Sequence, residues 1–398
     1  MATVKKSLFE HLVPLGIPLA WLQLTGERKR FAVAIAGITF AVAMMLFQMG
    51  LQNALFKQVV GPLLLLDGDV VIVGYHYEYF GVGRGFPIVR LHQSKSASEV
   101  ISAEPVKIGC ASFKNVEDGR ERDIFLIAFD PTKKTFLSQD IEKSRNSLKM
   151  RGTVAFDSLS RQQYGDVVGL FKKSNNGVVK TEISGKSVKI KNLIDIGATF
   201  AADGNVLMSI DTLLDIWPNA TASIVDVGVL KLKKGSDAQV VVDKLKKILP
   251  DDVKVMTKAQ YIQNEKDYWA VRTPIGFVIG ASMAVAIFVG AVIVYQILYT
   301  DVSDHIPEYA TLKAIGFSDR FFVWTIVQES IILSVMGFVP GALLASVLYK
   351  LTRDIGNMPT YMSVGSLVVV FVLTISMCVV AGLLATRKLR NANPADIF

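Results

Sequence analysis

The apolar residues gather in four blocks, at 31–49, 274–298, 321–349 and 364–385. Three of them carry no charge, and the third is interrupted only by Glu329. A helix crossing about 30 Å of hydrocarbon needs roughly 20 apolar residues at about 1.5 Å each. All four blocks are long enough. A helix of a soluble core keeps a polar face, whereas these are apolar all round. The pattern predicts four transmembrane helices, at 31–55, 271–299, 321–349 and 364–386. An N-terminal segment at 1–30 precedes them, and a short loop at 350–363 and a tail at 387–398 complete the membrane part. The fold class is an α+β membrane protein with a large mixed α/β domain, residues 56–270, between the first and second helices.

The first block begins 30 residues in and has no small-residue cleavage site after it, so it is expected to stay as an anchor. Before it, residues 17–24 are apolar with Trp21 and close at Thr25-Gly26. Such a segment fits an interfacial helix on the inner leaflet or a helix packed under the bundle, and both can hold.

Charge then gives the orientation. The 398 residues are 51% hydrophobic and 20% charged, with net charge +8. A basic balance fits nucleic acid, an anionic membrane or the flanks of membrane helices. Here Lys5, Lys6, Arg28, Lys29 and Arg30 precede the first block, and Arg387, Lys388 and Arg390 follow the last. The positive-inside rule puts both termini in the cytoplasm and residues 56–270 outside, with no nucleic-acid partner. Two cysteines and four scattered histidines exclude a disulfide framework and a zinc site. No GxxxxGK[ST] occurs, so an ATP-driven role needs the ATPase on another subunit.

In the outer segment, Asp67-Gly68-Asp69 reads as a turn into a strand at 70–73. Tyr75, Tyr77 and Tyr79 alternate and share a face if extended, either packing on a sheet or stacking a ligand. Gly81, Gly83 and Gly85 lack the spacing of a dinucleotide loop and read as a flexible connection. Strands are expected at 123–129 and 153–156, with Asp130-Pro131 as a turn or helix start. Asp157 is expected to cap a helix through Gln163. A hairpin turns at Ser184-Gly185 between strands at 178–183 and 188–196. Residues 227–232, 236–249 and 253–256 read as a βαβ unit, the helix setting Val240, Val241, Leu245 and Ile248 on one side. From Ala259 to Arg272 the chain is helix-compatible and is expected to run into the second span as a stalk. Asp203 reads as a turn former and Cys110 as a small buried hydrophobe. Asn219-Ala220-Thr221 matches a glycosylation sequon of low specificity. No catalytic set stands out, so a membrane-anchored enzyme is the weakest functional class.

Between the second and third spans, residues 300–320 form a cytoplasmic segment. Pro307 suits a first helical turn, and Tyr309, Leu312 and Ile315 line one face. Glu308, Thr311 and Lys313 lie away from that face. Gly316 sits where a left-handed cap is expected, and Ser318 can cap the third span. A short amphipathic helix follows, rimmed by Asp301, Asp304, Glu308 and Asp319, and suited to docking a soluble partner. Gly276 and Gly280 permit close helix approach, with Gly290 further along, either within the chain or at a dimer seam. Glu329 is expected to be a partnered interfacial acid rather than a proton relay.

Residues 17–24, 197–204, Thr273-Pro274-Ile275-Gly276-Phe277 and 294–316 (VYQILYTDVSDHIPEYATLKAIG) resemble DevC-type ABC transporter permeases of cyanobacteria. The wider class is the MacB/FtsX-like permeases, with one span, a large extracytoplasmic domain and three more spans. The resemblance covers nearly the whole chain. It implies a homodimer in the plasma (inner) membrane with its large domain in the periplasm. Its partners would be a DevA-like ATPase, a DevB-like membrane fusion protein and a TolC-like outer-membrane channel, besides membrane lipids. No cofactor is expected on this chain, since ATP and magnesium belong to the ATPase. Motion of that ATPase would pass through Asp304, Glu308, Tyr309, Leu312, Lys313, Ala314 and Gly316 to the outer domain. The class pattern lies directly on Glu308, Lys313, Ala314 and Gly316, while its usual Arg-Glu-Ile-Gly core is replaced by Pro307-Glu308-Tyr309-Ala310. Export of a glycolipid, another lipid or a hydrophobic compound is the implied activity. The alternative is an FtsX-like signalling permease that activates an external hydrolase and moves no substrate.

Overall fold

The computed structural model describes residues 19–174, 176–197, 202–356 and 360–390. In chain order, α1 (Leu19–Gly26) and α2 (Arg28–Leu64) come first. Then follow β1 (Val70–Gly74), β2 (Phe86–Pro87), α3 (Val89–Ser94), β3 (Val100–Lys114), β4 (Glu121–Phe129) and α4 (Gln139–Leu148). Next are β5 (Thr153–Asp157), α5 (Val167–Lys173), β6 (Val179–Ile183), β7 (Lys186–Ile194), β8 (Asn205–Ser209) and α6 (Ile210–Ile216). After them stand β9 (Ile224–Val225), β10 (Val227–Leu232), α7 (Ala238–Ile248), β11 (Val253–Thr257) and α8 (Lys258–Asp267). The last helices are α9 (Pro274–Asp304), α10 (Ile306–Ala314), α11 (Asp319–Gly356) and α12 (Val364–Arg390).

Leu55–Ile275 form one compact unit, and the residues up to Ala54 and from Gly276 onward form the other. In the second unit α2, α9, α11 and α12 are long and apolar enough to cross a membrane. Their packing rests on small residues, because lipid gives helices no hydrophobic reason to associate and close backbone approach supplies the contact instead. A Cβ on Gly337 would sit 2.5 Å from Ile38, and one on Gly341 would sit 2.7 Å from Val42. These two glycines form a GxxxG step on α11 that receives α2. A Cβ on Gly290 would sit 2.8 Å from Ala41 and from Met377, whereas one on Gly280 would meet open space within the chain. Polar pins add to this: Asn53 Nδ2 donates to Ser366 Oγ at 3.2 Å, and the Tyr349 hydroxyl donates to the Leu46 carbonyl. Helix α1 packs on α11 with Ala20 and Leu24 buried, and it turns Trp21 and Leu22 outward.

The other unit is built on a nine-stranded sheet, ordered β11-β1-β10-β3-β4-β8-β5-β7-β6. β6 also meets β3 at Phe113↔Ile183, so six strands close on one another around Phe113, Leu126, Phe156 and Met208. β1 is buried on both faces, which explains its unbroken run of apolar residues. Val71 and Val73 join the core with Phe125 and Tyr261, while Val70 and Ile72 join the core under α7. The hairpin at Ser184-Gly185 forms as expected, with φ of 47° and 72° at its two residues.

Several local expectations change. β10, α7 and β11 do form strand, helix and strand, but β1 lies between the two strands and runs antiparallel to both. The buried face of α7 is Val241, Val242 and Leu245, while Val240 and Ile248 are exposed. Asp157 caps no helix. It ends β5 fully buried and accepts hydrogen bonds from Leu159 N, Ile196 N and Asn205 Nδ2. The three tyrosines share no face, since the chain turns after β1: Tyr75 is exposed and Tyr77 is buried in the core. Cys110 is exposed: it follows Ile108 on the same face of β3 but belongs to neither core. The stalk is not one helix, for α8 passes into a π-helical turn (Tyr268–Arg272) and breaks at an extended Thr273. Pro274 enforces that break by disfavouring helix at the residue before it.

Candidate coupling helix and stalk junction

Helix α9 ends at Asp304, and α10 begins two residues later with Pro307 in its first turn. Proline is harmless there because a first-turn amide has no intrahelical partner. The other end closes with a Schellman arrangement: Phe317 N donates to the Leu312 carbonyl at 3.1 Å, and Gly316 takes φ +108°. Ser318 then leads into α11, its carbonyl accepting from Phe321 N at 2.9 Å. A rigid short helix is thus held between two spans by a few residues at each end.

Glu308, Thr311 and Ile315 of this segment are exposed, Ile315 at 72%, and Leu312 is half-buried. The side chains of Tyr309, Lys313, Ala314 and Asp319 lie outside the described residues. Asp304 pairs with Arg30 of α2, and Arg30 also meets Glu27 at 2.7 Å. Asp304 therefore ties the start of α2 to the end of α9. His305 Nδ1 contacts the Asp301 carbonyl at 2.9 Å. Glu329 differs from expectation: it is fully buried, and neither carboxylate oxygen has a hydrogen-bond partner among the described residues. Of the resembling segments, Ile17-Pro18 and residues 198–201 also fall outside the described residues.

A second set of residues sits at the outer-domain end of the stalks and was not singled out in the sequence. Lys258 Nζ reaches the carbonyls of Leu64 at 3.0 Å and Leu66 at 2.6 Å, at the last turn of α2. Burial lowers the Lys258 pKa, against the raising influence of Asp67 and Asp69. Thr257 and Gln260 make a reciprocal capping box that starts α8 at this lysine. One turn and more along, Glu265 is buried and accepts from Tyr77, Phe80 and Trp269. Burial pushes the Glu265 carboxyl up, outweighing those donors. The sequence signal was the i, i+4 spacing of Tyr261, Glu265 and Trp269, which puts an acid on an aromatic helix face. Among the described residues no group of three or more His, Cys, Asp or Glu could hold a metal ion.

Residues 280–394 match the family model of the FtsX-like permease C-terminal region. Among solved structures, the periplasmic region of MacB from Actinobacillus actinomycetemcomitans is similar at 10% identity and TM-score 0.35, over 52% of this chain and 95% of that one. The extracellular domain of the noncanonic ABC-type transporter YknZ from Gram-positive bacteria is similar at 10% identity and TM-score 0.32, over 48% and 98%. No curated protein matches the chain. The family match covers the last three membrane helices, and the helix order adds one span and a large mixed α/β domain ahead of them. Residues 280–394 are thus similar to the C-terminal region of FtsX-like permeases.

Proposed function

We propose that this chain is the membrane subunit of an exporter and relays the nucleotide cycle of a separate ABC ATPase to its outer domain. The observation that carries this reading is α10, a helix capped by Gly316 and joined within a few residues to α9 and α11. A push on its exposed Glu308, Thr311 and Ile315 reaches two membrane helices at once, because each connection is only a few residues long. Asp304 extends the same push to α2 through Arg30. The chain supplies no P-loop, so the energy comes from the partner. The basic flanks support a topology with both termini and α10 in the cytoplasm and the sheet domain outside. Two copies are taken to assemble, with Gly276 and the open Gly280 as candidate contacts. A membrane fusion protein and an outer-membrane channel would carry a lipid, a glycolipid or a hydrophobic compound onward.

Co-reconstitution of the chain with its cognate ATPase and fusion protein tests this. A lipid extract that carries the substrate is expected to stimulate ATP turnover, and Glu308→Lys is expected to abolish that stimulation while membrane insertion persists. Equal stimulation in Glu308→Lys and wild type would remove α10 from the coupling path.

A further inference from the structure

Glu265 gathers two separate segments onto one buried carboxylate. It is 2% exposed. Its Oε2 accepts from the Tyr77 hydroxyl at 3.0 Å and from Phe80 N at 2.9 Å. Its Oε1 accepts from Trp269 Nε1 at 3.0 Å. The first two donors belong to residues 75–80, the strap that leaves β1. The third belongs to the π-helical turn Tyr268–Arg272, which leads through Thr273 into α9. Aromatic rings complete the closure: Tyr79 stacks on Tyr268 at 4.6 Å and meets Trp269 edge-on at 5.4 Å.

Two features make this closure separable from the sheet. The π-turn is an intrinsically poor helix, of a kind that recurs at functional positions. It ends at Thr273, which is extended and whose hydroxyl donates back to the Trp269 carbonyl at 2.7 Å. The sheet next to it has its own support, since β1 pairs on both sides and is packed on both faces. Among the described residues the donors to Glu265 are all neutral, and burial holds its carboxyl above the ordinary range. A carboxylate kept dry by neutral donors alone carries a desolvation cost that opening relieves.

We propose that Glu265 is a releasable latch that holds the strap and the π-turn together, and whose opening frees residues 268–273 while the sheet stays folded. The latch stands on outer-domain geometry alone and does not depend on what the permease exports or which ATPase drives it.

Hydrogen exchange of the full chain in lipid nanodiscs, read by mass spectrometry, tests the latch. In Glu265→Ala, amides 77–81 and 268–273 are expected to exchange at least tenfold faster, with β1, β10 and β11 unchanged. Glu265→Gln keeps one acceptor oxygen and should show a smaller increase in the same two segments. Trp269→Phe should loosen 268–273 and leave 77–81 protected. Unchanged exchange in both segments of Glu265→Ala would overturn the proposal. So would an equal rise across β1, β10 and β11, which would make Glu265 a part of the fold and not a latch. If Glu265→Ala fails to fold, wild-type rates at 268–273 in both other variants overturn it.

Discussion

The Lys258 ammonium lies 2.6 Å from the Leu66 carbonyl, so the first residue of α8 ends the chain segment that leaves α2. The same nitrogen reaches Leu64, and Lys258 N donates to the Asp69 carbonyl at 3.0 Å. A single side chain therefore satisfies carbonyls that a helix end leaves without partners. Lys258→Met keeps the stem and removes the donor. Leaving such carbonyls unpaired costs about 1–3 kcal/mol. Thermal unfolding of the outer domain within the full chain should shift down accordingly, and Lys258→Arg should recover part of the loss. An unchanged transition in Lys258→Met would show that water replaces the ammonium freely.

At Gly316 the constraint is conformational and not spatial. Nothing lies within 4 Å of a Cβ placed there, yet φ is +108°. A β-branched residue in that region costs on the order of 1–3 kcal/mol. Gly316→Val should therefore unwind the end of α10 and weaken ATPase stimulation, with insertion unaffected. Gly280→Val, which meets open space at an ordinary backbone angle, should leave α10 intact. Matched ATPase rates in the Gly316→Val variant and wild type would disprove the role of the cap.

The bundle makes a sharper steric prediction. A Cβ on Gly50 would come within 2.1 Å of the Tyr349 ring. Overpacking of this kind costs about 1–3 kcal/mol. Gly50→Ala should lower the melting temperature of the detergent-solubilised chain, and the double variant Gly50→Ala/Tyr349→Leu should cost less than the two changes added separately. Strict additivity would mean that the two residues do not touch.

The outer domain should also respond to pH in a defined direction. Burial raises Asp157, Asp226 and Glu265 above their ordinary values of 3.8, 3.8 and 4.5. A carboxyl raised in the fold holds its proton more tightly there than in the unfolded chain. Its contribution is thus present below the ordinary value and is lost as pH rises through the folded one. Unfolding temperature should fall as pH climbs from about 4 and then level off. Glu265→Gln should flatten part of that slope. A slope of opposite sign would mean that hydrogen bonding outweighs burial at these groups.

Much of this architecture was legible in the chain. The four spans were, because an uninterrupted apolar run of that length has few other uses. β1 was legible for the same reason, having no polar residue, and β4 through its apolar run at 124–129. The helix α10 was legible through Pro307 and Gly316, two residues whose backbone preferences are local. What escaped depended on contacts distant in sequence. Asp157 looks like a cap beside Ser158, but its partners come from far along the chain, Ile196 just past β7 and Asn205 at the start of β8. Glu265 looks like surface charge until Tyr77 and Phe80 are brought to it from far upstream. Gly337 and Gly341 lacked any signal apart from spacing, since only the approach of α2 reveals why no side chain fits there.

The proposed topology puts the sheet domain and α10 on opposite sides of the membrane, and the native cysteines offer a direct test of it. Cys110 is exposed on the sheet domain and Cys378 is buried in the bundle. A membrane-impermeant maleimide applied to intact spheroplasts should label wild-type protein at Cys110. In a Cys110→Ser background, Thr311→Cys on α10 should stay unlabelled until the membrane is opened. Labelling of Thr311→Cys in sealed spheroplasts, together with a wild-type Cys110 that reacts only once the membrane is opened, would contradict the account.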